Sequence, residues 1–310
     1  MPPSVEELKD IKALTFDVFG TVVEWRETVT GELVKTARAK IASPAFSQLP
    51  EPLQSSFQQL SSDDWARLAE EWRAGYGAFT WGFVPGETEW KDIDTHHYES
   101  LKELLEVRGV AGAYTDEEAR SLSLVWHRLR PWNDSAQGIQ RLGTRYVTAT
   151  LSNGNRSLLA DLDAHGSLGF QRIISAADFG AYKPHPRTYL GAVDALGRRP
   201  NEVAMVAAHL GDLRAARGNG LRTIYVEREG EEEWSPDDER WVEAREWVDL
   251  EPCASDLRAL SEAVITRRRF SQIHEALNAQ MRKEEIAIAL VANAVQQPQD
   301  GPGGVSEREV

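Results

Sequence analysis

The chain has a single cysteine, Cys253, among its 310 residues, so it cannot form an internal disulfide. This is typical of proteins in a reducing compartment. No run of about 18 apolar residues is present to cross a membrane, and residues 1–10 lack the apolar stretch of a secretion signal. The formal net charge is −14, and no basic stripe is available to neutralise phosphates. We therefore expect a cytoplasmic protein with no nucleic-acid partner and no membrane partner.

Four predicted strands each end at polar residues. The strands cover residues 13–16, 146–151, 172–176 and 203–208, and the polar residues that follow them are, in order, Asp17, Ser152 with Asn153, Lys183, and His209 with Asp212. Gly20 permits a tight turn after the first strand. Ligands of open α/β sheets bind at the carboxyl ends of strands, and a carboxylate placed there can act as a nucleophile. Each of these residues alone could simply form a turn or cap a helix. Four predicted strands that are all followed by such polar residues favour an active site.

The pattern of apolar residues divides the chain unevenly. Residues 1–23 and 128–262 alternate strand and helix patterns, which predicts an α/β core domain with a Rossmann-like, mostly parallel sheet. Residues 24–127 show only helical spacing and are predicted to form an inserted helical domain. The positions that carry this spacing are Phe57, Leu60, Trp65, Leu68, Trp72, Tyr76, Tyr98, Leu101, Leu104 and Leu105.

The C-terminal part carries further patterns. The acidic run at 227–243 is typical of a solvated loop. A last short strand is predicted at 248–250, and a closing helix at 257–264. An extra helix is predicted within 263–296, followed by a disordered tail at 297–310. The extra helix could pack on the core or pair two copies into a homodimer, and the sequence leaves both arrangements open.

The order and spacing of these motifs resemble the haloacid dehalogenase superfamily of hydrolases, and within it the L-2-haloacid dehalogenase (type II) branch. The matching segments are DVFGT at 17–21, LSNG at 151–154, YKP at 182–184 with Tyr189, and AAHLGDLRAARGNGL at 207–221. The resemblance spans roughly residues 11–260. It implies that residues 24–127 form a cap over the active site and that the substrate is a small molecule.

Two positions distinguish the chemistries of this superfamily. The phosphatases that the chain resembles carry a second Asp two residues after the nucleophile, as a general acid, and a Mg²⁺-binding acid four residues before the position of Asp212. This chain has Phe19 and Ala208 at those positions. Mg²⁺ requires hard oxygen ligands, whereas a halide leaves without a proton and needs no general acid. We therefore expect a metal-independent hydrolytic dehalogenase of 2-haloalkanoic acids, with no metal and no cofactor.

The resemblance also implies a role for each residue. Asp17 attacks C2 of the substrate, and water then hydrolyses the resulting ester to a 2-hydroxy acid. Lys183 keeps Asp17 ionised, while Asp212 holds Lys183 and helps to activate the water. The other expected residues are Thr21 (steadying the Asp17 carboxylate), Ser152 (substrate carboxylate), Asn153 (halide), Arg73 with Arg26 in reserve (halide or carboxylate), Phe19 (an apolar wall) and Tyr189 (near the nucleophile).

The chain departs from the type II pattern at Ala207 and His209, where those enzymes carry Ser and Asn. A neutral His209 imidazole near pH 7 could orient or deprotonate the ester-cleaving water, or the side chain could only fill space. One alternative function is therefore a phosphatase or other hydrolase of the same superfamily, acting on a secondary-metabolite or small phosphorylated substrate. A second alternative is a non-catalytic assembly role, which the intact Asp17, Lys183 and Asp212 disfavour.

Overall fold

A computed structural model of the chain describes residues 10–249 and residue 257. Its strands are β1 (Ala13–Phe16), β2 (Val23–Glu24), β3 (Arg130–Pro131), β4 (Val147–Thr150), β5 (Val203–Ala207) and β6 (Arg222–Tyr225). Its α-helices are α1 (Arg26–Ile41), α2 (Glu51–Gln59), α3 (Ser62–Trp81), α4 (Ile93–Val107), α5 (Asp116–Ser123), α6 (Ser135–Gly143), α7 (Arg156–Gly166), α8 (Pro186–Ala195), α9 (Leu210–Gly218) and α10 (Glu239–Trp247).

The four longer strands form a parallel sheet in the order β4-β1-β5-β6. Every residue of β1 and β5 is buried, as expected of parallel strands covered on both faces. The α/β fold with a parallel sheet and the predicted strands at 13–16, 146–151 and 203–208 are confirmed. Because β1 lies between β4 and β5, the polar residues that follow these three strands meet at one edge of the sheet.

The strand predicted at 172–176 is wrong. This segment makes only isolated bridges, Ala149 with Arg172 and Ser152 with Ser175, before a 3₁₀-helix at Ala176–Phe179. The Thr150 hydroxyl takes over part of the ladder, because it donates to the Ile174 carbonyl and accepts from the Ile174 N–H. The segment therefore follows the edge of β4 without forming a regular strand.

The inserted segment is helical, as predicted. Helices α1–α5 lie between β2 and β3, and these two strands pair antiparallel through Val23 with Pro131 and Glu24 with Arg130. Helix α3 begins at a capping box made by Ser61 and Asp64. Its buried face contains Trp65, Leu68, Ala69, Trp72, Tyr76 and Thr80, at the spacing of an amphipathic helix. The chain thus leaves the sheet and returns to it at adjacent points.

The acidic run is not simply a solvated loop. Glu231 is only 7% exposed, and α10 begins at Glu239 inside the predicted loop. The strand predicted at 248–250 is also wrong for Val248 and Asp249, because Asp249 instead accepts hydrogen bonds from the backbone and hydroxyl of Thr223. Of the closing helix only the helical Leu257 lies within the described residues, and the predictions for Cys253 and 263–310 lie outside them.

Candidate active site

The carboxylate of Asp17 lies at the end of β1, at the centre of the sheet edge. A turn follows in which the Val22 and Val23 N–H groups both donate to the Val18 carbonyl. Gly20 has φ +82°, a conformation that residues with a side chain rarely adopt. An added Cβ there would also lie 2.0 Å from Glu231 Oε2. The turn therefore requires glycine for its backbone and for the packing around it.

Both oxygens of the buried Asp17 carboxylate accept hydrogen bonds. Lys183 Nζ donates to Oδ1 at 2.8 Å, and Thr21 Oγ1 donates to Oδ2 at 2.8 Å. The Thr21 hydroxyl in turn accepts from the Ala208 N–H at 2.9 Å. His209 Nδ1 lies 3.2 Å from Oδ2. The expected contacts of Lys183 and Thr21 with Asp17 are therefore present in the structure.

Lys183 bridges two carboxylates. Its Nζ also donates to Asp212 Oδ2 at 2.6 Å, and the other Asp212 oxygen accepts from the Tyr189 hydroxyl at 2.7 Å. The backbone N–H of Lys183 donates to Asn153 Oδ1 at 2.7 Å, which fixes the lysine backbone against the loop after β4. Asp212 lies in the first turn of α9, but the N-cap of that helix is His209. Both Asp212 oxygens are thus engaged by side chains of the site.

Burial and charge set the protonation of this group. Burial opposes ionisation of Asp17, but Lys183 and His209 outweigh it and hold the pKa of Asp17 well below its usual range. Burial would lower the pKa of Lys183, but Asp17 and Asp212 raise it above its usual value. Burial and the nearby Asp17 raise the pKa of Asp212. Asp17 is therefore held as the charged carboxylate, and Asp212 is the more basic of the two.

His209 has a second carboxylate partner that the sequence did not reveal. Its Nε2 lies 3.5 Å from Glu231 Oε2, opposite the ring nitrogen that faces Asp17. Glu231 also accepts from Trp25 Nε1 at 3.2 Å and lies 3.4 Å from a guanidinium nitrogen of Arg26. Burial would lower the pKa of His209, but hydrogen bonds with Asp17 and Glu231 raise it to about 9. His209 is therefore an imidazolium near neutral pH, which differs from the neutral ring expected from the sequence.

A cavity of about 260 Å³ opens onto Asp17. Its lining includes the predicted residues Asp17, Phe19, Arg73, Asn153, Lys183, Tyr189, His209 and Asp212. The Arg73 guanidinium lies 4.9 Å from the centre of the Tyr76 ring, and no described carboxylate pairs with it. Phe19 packs edge-on against Tyr76 and Trp126. The cavity thus combines a carboxylate nucleophile, an apolar wall and a cation available to an anionic ligand.

Three residues considered from the sequence do not line the cavity, and one of them is Thr21, which is fully buried against Asp17. Ser152 is fully buried, and its Oγ accepts a 3.4 Å hydrogen bond from the Gly154 N–H. Arg26 is paired with Glu70 at 2.6 Å and with Glu231. The lining also includes Tyr76, from the aromatic stripe of the inserted segment, and Glu232, which the sequence did not indicate. Glu232 accepts from the Leu210 N–H at the start of α9. In the sequence, an acid that caps the start of a helix cannot be distinguished from the solvated acids around it.

The residues present do not fit a Mg²⁺ site. Within residues 10–249, no cluster of three His, Cys, Asp or Glu side chains is arranged to hold a metal ion. Two carboxylates of the site, Asp17 and Asp212, already share the Lys183 ammonium. The buried Ala208 offers no side-chain oxygen at the position where the related phosphatases have an acid.

Comparison with known proteins agrees with this geometry. A family model of haloacid dehalogenase-like hydrolases matches residues 11–220. The chain is 27% identical over 228 residues to (S)-2-haloacid dehalogenase 4A of Burkholderia cepacia, which covers 71% of this chain and 84% of that protein. A crystal structure of a defluorinating L-2-haloacid dehalogenase is 30% identical, with a TM-score of 0.66, and covers 82% of this chain and 95% of its own. A second L-2-haloacid dehalogenase structure is 32% identical, with the same TM-score, and covers 82% and 99%. The chain belongs to the haloacid dehalogenase-like hydrolase family.

Proposed function

We propose that the chain is a metal-independent dehalogenase that hydrolyses 2-haloalkanoic acids to 2-hydroxy acids through an ester on Asp17. The observation that carries this proposal is the buried Asp17 carboxylate, which Lys183 keeps ionised while the apolar Phe19 stands where a phosphatase needs an acid. Phosphoryl transfer would need an acid to protonate the leaving alkoxide, and the apolar Phe19 cannot supply that proton. A halide needs no proton in order to leave, so this site suits its displacement.

In the first step, an Asp17 oxygen attacks C2 of the substrate from the side opposite the halogen. The new C–O bond forms as the carbon–halogen bond breaks, and the halide leaves with the bonding electron pair. Arg73 supports this step, because its unpaired guanidinium faces the cavity and can bind the substrate carboxylate or the departing halide. Asn153 also lines the cavity, with its Oδ1 held by the Lys183 N–H and its side chain hydrogen-bonded to Tyr76, and it can contact the departing halide.

In the second step, water attacks the Asp17 carbonyl carbon of the ester. A base takes the proton from the water, and the 2-hydroxy acid leaves with a proton as the Asp17 carboxylate is restored. Asp212 suits the role of base, because its pKa is raised above that of an ordinary aspartate.

Ester formation also changes His209. The ester is uncharged, so the Asp17 charge that raises the pKa of His209 disappears while Glu231 still holds the ring. The pKa of His209 therefore falls in the intermediate, so that more of the rings are neutral near pH 7 and able to accept a proton in the step that needs a base.

The test is a single-turnover reaction with 2-chloropropanoate in ¹⁸O-labelled water, with enzyme in excess and EDTA present. We expect chloride release unaffected by EDTA and one ¹⁸O atom in the Asp17 peptide, because water attacks the Asp17 carbonyl carbon and not C2. Label in the lactate on the first turnover, or loss of turnover in EDTA, would contradict the proposal.

The matched variants are Asp17→Asn and Asp194→Asn. The first removes the nucleophile and should reduce chloride release by at least about 10³-fold. The second makes the same change at an exposed position on α8 and should leave the rate unchanged.

A further inference from the structure

The cavity extends well beyond the reacting carboxylate. Five residues of α3 line it along the helix, from Arg73 through Tyr76, Gly77 and Thr80 to Trp81. A helix rises about 1.5 Å per residue, so Arg73 and Trp81 are about 12 Å apart along the axis. Arg73 lies at the inner end, since its charge acts on His209, whereas Trp81 is 67% exposed and lies at the mouth. The cavity is therefore elongated along α3.

Two glycines keep the middle of this cavity open. An added Cβ at Gly77 would have no atom within 4 Å, so its α3 position faces open space. Across the cavity, an added Cβ at Gly211 would lie 3.9 Å from the Trp234 ring. A glycine in a helix interior costs about 1 kcal/mol relative to alanine. The absence of a side chain at Gly77 leaves this space open.

The outer part of the cavity contains two indole rings together with Glu232, Glu233 and Arg240. Trp81 comes from α3, and the partly buried Trp234 comes from the acidic segment. Glu232 accepts from two backbone N–H groups, of Leu210 and Trp234. Arg240 is paired with Asp238 at 2.5 Å. An apolar group can therefore contact both indoles, while no unengaged cation is placed among these residues to receive an anion.

We propose, resting on the proposed function, that this chain prefers 2-haloalkanoates whose C2 substituent is an uncharged apolar chain of four or more carbons. The halogen-bearing carbon lies at Asp17, the carboxylate lies near Arg73, and the chain passes Gly77 to contact Trp81 and Trp234. A three-carbon haloacid fills only the inner end. Three methylenes fully buried at about 0.8 kcal/mol each would give a preference of about 50-fold, and partial burial in this open cavity reduces it to about tenfold.

The test compares kcat/KM for chloride release from 2-chloropropanoate, 2-chlorohexanoate and 2-chloroadipate. The last two have chains of equal length, but 2-chloroadipate ends in a carboxylate. We expect 2-chlorohexanoate to exceed 2-chloropropanoate by about tenfold, and 2-chloroadipate to lose that advantage. Equal values for the two monoacids, or a preference for the diacid, would overturn the inference.

Two variants test the path itself. Gly77→Leu fills the open middle and should lower the ratio of kcat/KM for 2-chlorohexanoate over 2-chloropropanoate about tenfold. Trp81→Ala removes one outer contact and should lower the same ratio several-fold. The matched control is Gly31→Leu, because Gly31 is an exposed helical glycine on α1 with open space at its Cβ and no place in the cavity lining. An unchanged ratio in Gly77→Leu would overturn the inference.

A binding measurement separates this inference from the proposed function. Calorimetry with unreactive hexanoate and propanoate, on the wild-type protein and on Gly77→Leu, reports the outer cavity without any turnover. Tighter binding of hexanoate that Gly77→Leu abolishes supports the outer site even if no chloride is released. Chloride release from 2-chloropropanoate with no chain-length preference upholds the proposed function and overturns this inference.

Discussion

The charged side chains at the site alternate in sign from one to the next. Asp212, Lys183, Asp17 and His209 follow one another at 2.6, 2.8 and 3.2 Å, and Glu231 follows His209 at 3.5 Å. Removing one member of a buried pair leaves an uncompensated charge and typically costs 3–5 kcal/mol. The sequence predicted the first four of these residues from the ends of strands, but it gave no sign that Glu231 reaches His209.

A glutamine at position 231 tests what the buried acid does. Glu231→Gln removes one of the two carboxylates that raise the pKa of His209, so this pKa should fall from about 9 toward the ordinary value of 6.5. The measurement is an NMR titration of the His209 ring. The variant should also change the pH dependence of ester hydrolysis more than that of ester formation.

Glu227→Gln is the matched control, because Glu227 lies exposed in the same acidic segment. It should leave the titration of His209 where it is in the wild-type protein. A pKa of His209 that stays near 9 in Glu231→Gln would show that Asp17 alone holds the proton.

At the scale of elements, the spacing of apolar residues predicted the strands and helices whose apolar faces are buried. Strands β1 and β5 are continuous apolar runs, and the helices of the insertion show the 3.6-residue spacing of a buried face. The segment at 172–176 misled this approach, because a strand pattern does not show that the Thr150 hydroxyl replaces ladder bonds. The acidic run misled it as well, since charge in sequence does not distinguish a solvated acid from one that caps a helix or pairs with a histidine.

The turn after β1 gives a prediction about stability. Gly20→Ala places a Cβ at φ +82° against Glu231 and His209, whereas Gly180→Ala places one at φ +61° with nothing within 4 Å. Both substitutions carry the backbone cost of about 1–2 kcal/mol, but only the first adds a packing clash. Urea unfolding should therefore show a larger loss for Gly20→Ala, accompanied by a loss of activity. Equal losses with full activity would show that the turn tolerates the side chain.

At the scale of the whole molecule, one histidine connects the insertion to the sheet domain. His127 lies in the 3₁₀-helix at Leu124–Arg128, with Nε2 3.0 Å from Asp94 in α4 and Nδ1 2.8 Å from Asp161 in α7. Burial would lower the pKa of His127, but the hydrogen bonds with these two acids outweigh it and raise the pKa.

No helix within the described residues is both long enough and apolar enough to cross a membrane. The cytoplasmic location and the homodimer stay predictions.

This bridge predicts how stability depends on pH. A histidine whose pKa is raised on folding stabilises the fold fully below its unfolded value of about 6.5, and this contribution is lost as the pH rises through the folded pKa. The difference in unfolding free energy between wild type and His127→Gln should therefore shrink as the pH rises from about 6.5 through the raised pKa of folded His127. His165→Gln, at an exposed position on α7, should show no such trend. A difference that is constant with pH would mean that folding does not raise the pKa of His127.

The short ladder between β2 and β3 has a consequence for how such a protein can change. The chain leaves the sheet domain at β2 and returns at β3, and these two strands are paired. A short connection could therefore join them, whichever helices lie between them in the sequence. Asp17 and Lys183 belong to the sheet domain, while Arg73, Gly77 and Trp81 belong to α3, one of the helices between β2 and β3. Substitutions in these helices can therefore change which substrates enter the cavity without changing the residues that carry out the displacement.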